Sequence, residues 1–211
     1  MKFIGSTVKG DGWVGKYYKL GQKKFDLLNL QSINITKYPY LLESSSRGNK
    51  KNRFSILFFK PKTLLQKTKE DKNSFLDEFD KIWKREKIDQ NGLFFNNKKI
   101  PFCGGWFVYL GYELVEEIET KLNIPKSPFK LPTAFASRVN TAIIFDHVDN
   151  DILITSDDKD SFNDDILEIE EDFTKILDES TKLSGTITIL RKGSEYEHQE
   201  QVKKCIDYIF Q

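Results

Sequence analysis

Glu43, Ser44 and Arg53 carry the groups that hold a small zwitterion. A carboxylate takes an ammonium group, while a hydroxyl and a guanidinium take a carboxylate. The same residues have a plainer use, as the polar ends of a hairpin facing water with Arg53 paired to Glu43. Downstream, Pro101-Phe-Cys-Gly-Gly-Trp-Phe-Val-Tyr-Leu-Gly-Tyr-Glu113 sets Gly104, Gly105 and Gly111 among five aromatic residues. No Gly-Lys-Ser/Thr follows these glycines and the dinucleotide-binding spacing is absent, which argues against a phosphate loop. Glu113, Glu116, Glu117 and Glu119 read as a solvated helix face, with Glu113 at the start, where the helix dipole favours its charge. Cys103 has no neighbouring His or Lys to activate it. His147 lies in an Asp-rich turn and reads as a surface residue. These residues supply no nucleophile, base and orienting partner as a set. The two histidines and two cysteines show no metal-ligand spacing, so no residue is assigned to a metal.

Composition narrows the partners. Lys and Arg number 33 against 32 Asp and Glu, so the net charge of +1 gives no basic field for nucleic acid or a membrane surface. Apolar runs such as Ile56-Leu-Phe-Phe59 are far too short to span a bilayer. Met1 to Thr7 shows no signal-peptide core. A cytoplasmic protein with reduced thiols is the expectation.

The elements that must position these residues follow from periodicity. Residues 1–24 suggest short extended pieces and turns, and 25–36 fit a short helix or a strand. Tyr38 to Leu42 reads as a strand entering a polar loop, and Arg53 to Phe59 as its antiparallel return, buried on both faces. Residues 63–73 read as a solvated connection and 88–99 as a polar loop. Between them, Phe75, Leu76, Phe79, Ile82 and Trp83 predict a helix from about Asn73 to Lys87, with Asn73 or Ser74 as N-cap. The run Trp106 to Leu110 reads as a buried strand, with Gly111 as a bulge or close approach. An acidic amphipathic helix then carries Leu114, Val115, Ile118 and Leu122 on one face. Strands are expected at Ala134 to Arg138, at Thr141 to Phe145 with its hairpin partner Ile152 to Thr155, and at Gly185 to Leu190. Helices are expected at Ile166 to about Glu179 and at Glu195 to Gln211. The whole is an α+β fold of mostly antiparallel sheets flanked by helices.

Read jointly, five segments resemble a known family. Leu41-Leu-Glu-Ser44, Arg53-Phe-Ser55 and Pro101 to Glu113 match component I of anthranilate synthase and of aminodeoxychorismate synthase in order and spacing. Phe145-Asp146-His147 resembles the family's next landmark. Tyr196 to Gln211 resembles the helix leading into a Gly-Asp-aliphatic-aromatic-Gln segment that this sequence does not contain. The resemblance covers nearly all of the chain from Pro39 onward. Trp106-Phe107 after the glycines, and Arg53-Phe-Ser in place of Arg-Tyr-Ser, look more like the aminodeoxychorismate synthases.

The resemblance implies the N-terminal half of the component I fold over residues 1–195. Residues 196–211 would begin the helix that leads into a chorismate-binding catalytic domain, so the chain is expected to continue past Gln211. It implies a domain that is not itself catalytic, within an enzyme aminating chorismate toward 4-aminobenzoate and folate. Mg2+ would bind outside this chain, and a glutamine amidotransferase subunit would supply ammonia. It also implies a tryptophan pocket at Leu42, Glu43, Ser44, Arg53 and Phe54, with Gly104, Gly105, Gly111, Tyr112 and Glu113 as a structural motif. Two alternatives stay open: anthranilate synthase component I inhibited by tryptophan, and a free-standing small-ligand binding module.

Overall fold

Phe54 to Phe59 is apolar at every position but Ser55 because both of its faces are covered. The structure, a computed structural model, describes residues 5–10, 12–21, 25–44, 53–86, 93–122, 124 and 131–182. The elements run β1 (Ser6–Gly10), β2 (Trp13–Lys19), α1 (Leu27–Ile33), β3 (Tyr40–Leu42), β4 (Phe54–Phe59), β5 (Lys62–Lys67) and α2 (Phe75–Glu86). They continue with β6 (Phe94–Phe95), β7 (Lys98–Lys99), β8 (Gly105–Leu110), a 3-10 turn at Tyr112–Leu114, α3 (Val115–Ile118), β9 (Ala134–Val139), β10 (Thr141–Asp146), β11 (Asp151–Ser156) and α4 (Phe162–Lys182). The chain divides into Met1–Ile176 and Leu177–Gln211. The strand expected at Gly185 to Leu190 and the helix expected from Glu195 lie outside the described residues.

Six strands form an antiparallel sheet in the order β1-β2-β11-β10-β4-β3. Successive strand side chains point to opposite faces, and this sheet uses both. Leu57 and Phe59 of β4, Ile143 of β10, and Ile152 and Ile154 of β11 face α1 and α4. From α4, Phe162, Ile166, Ile169, Phe173 and Ile176 meet them at helical spacing. Leu57, Ile143, Ile152 and Phe173 are fully buried, and each such side chain contributes about 1.5–3 kcal/mol. Trp13, Ile144 and Phe54 point the other way, toward Leu93, Ile100 and Cys103.

A second antiparallel sheet, β5-β9-β8, carries α2 on one face. The two sheets share continuous chain. β4 passes into β5 through Lys60, at φ 44, and Pro61, and β9 passes into β10 through Asn140. An α+β fold with mostly antiparallel strands is therefore observed.

Four local expectations are corrected. Residues 63–73 are not all connection: Lys62–Lys67 pairs with β9 as β5. Its residues are mostly exposed and it sits at a sheet edge, so burial imposes no apolar alternation on it. Residues 88–99 include a two-residue ladder, Phe94↔Lys99 and Phe95↔Lys98. β8 is half-buried rather than buried, because it is the edge strand of its sheet, and Leu110 is exposed. The helix expected after Tyr112 is one 3-10 turn plus four residues; Leu114 is buried, but Ile118 and Leu122 are exposed.

Glu117 is the reason that short helix matters. Its carboxylate accepts from the Phe75 and Leu76 N–H groups at 2.9 and 3.2 Å and from the Ser74 hydroxyl at 3.0 Å, and it pairs with Lys67 at 2.9 Å. Ser74 Oγ in turn accepts from Asp77 N–H at 3.2 Å. The orphan donors at the start of α2 are thus satisfied from two directions. Glu117 is therefore not part of a solvated face.

Candidate functional site

The polar cluster is built on the β3–β4 ladder. Tyr40 opposes Phe58 and Leu42 opposes Ile56, which carries Ser44 alongside Phe54. Ser44 donates its N–H to Ser55 Oγ at 3.1 Å and its hydroxyl to the Phe54 carbonyl at 2.8 Å. Ser55, 2% exposed, stands 2.7 Å from His147 Nε2. Since Ser55 Oγ accepts from Ser44, its own proton is available to a neutral His147 ring. His147 is not the surface residue expected from its turn. It is half-buried, donates its N–H to the Arg53 carbonyl at 2.9 Å, and sets its ring edge-on to Phe145 at 4.7 Å. Ser44, Ser55 and His147 thus form one hydrogen-bonded line from three separate strands or turns.

Arg53 does not pair with Glu43. Its Nε reaches both Asp146 oxygens at 2.9 Å, and one terminal nitrogen reaches Asp146 at 2.7 Å and Asp149 at 2.8 Å. The cause is register: Asp146 lies directly across from Phe54, next to Arg53. Asp146 also accepts from the N–H groups of Val148 and Asp149 and so shapes the turn. The guanidinium lies 5.4 Å from the Phe54 ring. Leu42 and Glu43 are exposed.

These contacts change what the cluster can bind. The Arg53 fork is engaged by two carboxylates, and the Ser44 proton by a backbone carbonyl. What remains toward a ligand is the Glu43 carboxylate and the Ser44 lone pairs, which accept, and the second terminal nitrogen of Arg53, which donates and takes no part in these pairs. The described residues therefore match the ammonium end of a zwitterion and keep one Arg53 nitrogen for its carboxylate. The aromatic residues of the glycine stretch do not reach this cluster: Phe107 stacks on Tyr40 with centroids 4.0 Å apart and lies 5.7 Å from Phe58, toward the opposite end of the β3–β4 ladder.

The glycine stretch is a structural joint. Gly104 has φ +74 and Gly105 φ +153, conformations that side chains disfavour. A Cβ on Gly104 would fall onto the Asp157 carboxylate. That carboxylate pairs with Arg138 and accepts from Asn140 at 3.0 Å, and Arg138 also donates to the Gly105 carbonyl at 3.0 Å. Gly111 donates its N–H to the Thr133 carbonyl at 2.8 Å, and a Cβ there would lie 2.7 Å from that oxygen. Tyr112 is exposed and Glu113 half-exposed. Burial, aided by the Asp157 charge, pushes the Cys103 thiol up to about 12, which leaves it a poor nucleophile.

Sequence reasoning missed a second group on the opposite face of the main sheet: Tyr17, Phe95, Lys98, Asp149 and Asp151. The signal available was strand alternation, which turns Asp151 inward from a turn read only as acidic. Tyr17 donates to Asp151, and burial together with that bond pushes the phenol up to about 12.

Among the described residues no three His, Cys, Asp or Glu side chains group to hold a metal ion, and none is assigned to Mg2+. No helix among them is long and apolar enough to cross a membrane. No protein-family model matches the chain, and no curated protein matches it.

Proposed function

We propose that this chain is the N-terminal, non-catalytic domain of a component I-type chorismate-aminating synthase, of the aminodeoxychorismate rather than the anthranilate kind. The observation that carries the reading is the convergence of its motif segments. Ser44 of the first, Arg53 and Ser55 of the second, and Asp146 and His147 of the fourth meet through direct hydrogen bonds although they span 104 residues of sequence. The Pro101 to Glu113 segment joins the same body through Phe107 on Tyr40. On this reading the domain presents Glu43 and Ser44 to the ammonium group of tryptophan. Further carboxylate partners, the chorismate and Mg2+ residues and the contact with a glutamine amidotransferase subunit belong to other chain.

The test is to assay the product of the whole gene for aminated product from chorismate, ammonia and Mg2+, beside residues 1–211 alone. Product from the whole protein and none from 1–211 is expected; an inactive whole protein, or turnover by 1–211, sinks the reading. In the active protein, Ser44→Ala should weaken tryptophan binding roughly ten- to a hundredfold, since it removes a hydrogen bond to a charged group.

A free-standing small-ligand module is the second reading. It is favoured by the cleft at Asp151, which this chain lines by itself.

A further inference from the structure

Asp151 opens β11 on the face of the main sheet away from α4. It is 9% exposed, and it lines a small cleft of about 70 Å3 with Tyr17, Phe54, Phe95, Lys98 and Ile100. One carboxylate oxygen, Oδ2, accepts from the Tyr17 hydroxyl. The other, Oδ1, is buried and has no hydrogen-bond partner.

The neighbouring charges are already engaged. Asp146 is held by Arg53 on two nitrogens, and Asp149 by Arg53 and Lys98. Lys98 stands 3.9 Å from Asp146. Lys19, across the ladder from Asp151, has an exposed side chain, and Lys99 lies farther along the lining. Asp151 is thus the carboxylate in the cleft whose second oxygen lacks a donor. A buried carboxylate is costly unless a donor or a positive charge meets it. Its walls are aromatic: Tyr17 and Phe95 are 5.1 Å apart, tilted by 54°. Aromatic faces attract organic cations and cover short alkyl chains.

We propose that this cleft binds a primary alkylammonium group, with its nitrogen against the Asp151 carboxylate and its carbon chain against Tyr17 and Phe95. The grouping of carboxylates needed for a metal ion is absent among the described residues. The same head group could arrive on a free short-chain amine or at the end of a lysine side chain. This inference does not rest on the chorismate reading, because the cluster at Ser44 and His147 takes no part in it.

The test is a titration of the 211-residue chain followed by amide nuclear magnetic resonance, at constant ionic strength. The probes are propylammonium chloride, its neutral counterpart 1-propanol, and Nα-acetyl-lysine methylamide. Saturable shifts centred on Tyr17, Phe95 and Asp151 with either amine, at millimolar concentration, are expected, and 1-propanol should give none. Asp151→Asn should bind roughly tenfold or more weakly. Absence of saturable shifts with both amines, equal response to 1-propanol, or undiminished binding by a folded Asp151→Asn protein overturns the proposal. Should that variant fail to fold, the comparison of propylammonium with 1-propanol on the wild-type chain still decides. Tighter binding of the lysine derivative supports a lysine side chain as the source, and weaker binding a free amine.

Discussion

The ring of Tyr40 lies flat on the ring of Phe107, 4.0 Å between centroids and 4° between planes, and so ties the edge of the six-stranded sheet to the edge of the three-stranded one. Phe107 belongs to a segment on which the family resemblance rests, and Tyr40 directly precedes another. A double-mutant cycle with Tyr40→Ala and Phe107→Ala should return a coupling of about 1 kcal/mol in urea unfolding. Strictly additive losses would show that the stack is not what joins the sheets.

Glu117 makes the stability of the fold depend on pH. Burial alone would raise its pKa, but Lys67, the Phe75 and Leu76 N–H groups and Ser74 outweigh burial and hold it at about 2. The folded value lies below the ordinary one, so the charged form stabilises the native state. That contribution is complete above the usual carboxylate range and is lost as pH falls from there toward 2. Glu117→Gln should therefore be less stable than wild type at neutral pH, by on the order of 3 kcal/mol, and the gap should close in acid. Urea titrations at a series of pH values read this directly; a gap that stays constant into acid rules the role out.

Arg53 offers a direct choice between structure and ligand binding. Its fork holds Asp146 and Asp149, an arrangement that Lys cannot reproduce. Arg53→Lys should lower stability by about 1–2 kcal/mol with no ligand present. A neutral substitution would mean that the turn after β10 holds itself, and would leave the whole Arg53 fork available to a ligand.

Gly104 and Gly12 share a left-handed φ, +74 and +73, but not an environment. Nothing lies within 4 Å of a Cβ on Gly12, whereas Gly104 faces Asp157. Gly12→Ala should cost ~1 kcal/mol. Gly104→Ala should cost more, at least ~2 kcal/mol, because Asp157 must also leave Arg138. Equal thermal shifts for the two variants would contradict the crowding at Gly104.

Much of the frame was readable because burial writes itself into the sequence. α2 and α4 show apolar stripes at helical spacing, and β10–β11 shows two apolar runs around an Asp-rich turn. β5 was not readable: as an exposed edge strand its residues, Lys62 to Lys67, carry no burial signal. Glu117 and His147 were misread for a different reason. Each lies beside polar neighbours in sequence, and each is drawn inward by a partner distant in sequence, Phe75 N–H for one and Ser55 for the other. The Arg53–Glu43 pairing failed on register, since Asp146 comes closer through the neighbouring strand. Long-range pairing of this kind is invisible to local periodicity.

The main sheet joins the N-terminal hairpin to the rest through β2 against β11, with Val14 opposite Ser156, 142 residues later. A ribosome adds about 5–20 residues per second, so the N-terminal hairpin waits roughly 7–28 s for its partner strand to be made. Throughout that interval Trp13, Val14 and Tyr18, all buried in the finished protein, have no β11 to pair beside. The topology thus makes early synthesis the stage at which this chain most needs shielding from its neighbours, and nascent chains halted before Asp151 should be the ones that chaperones hold.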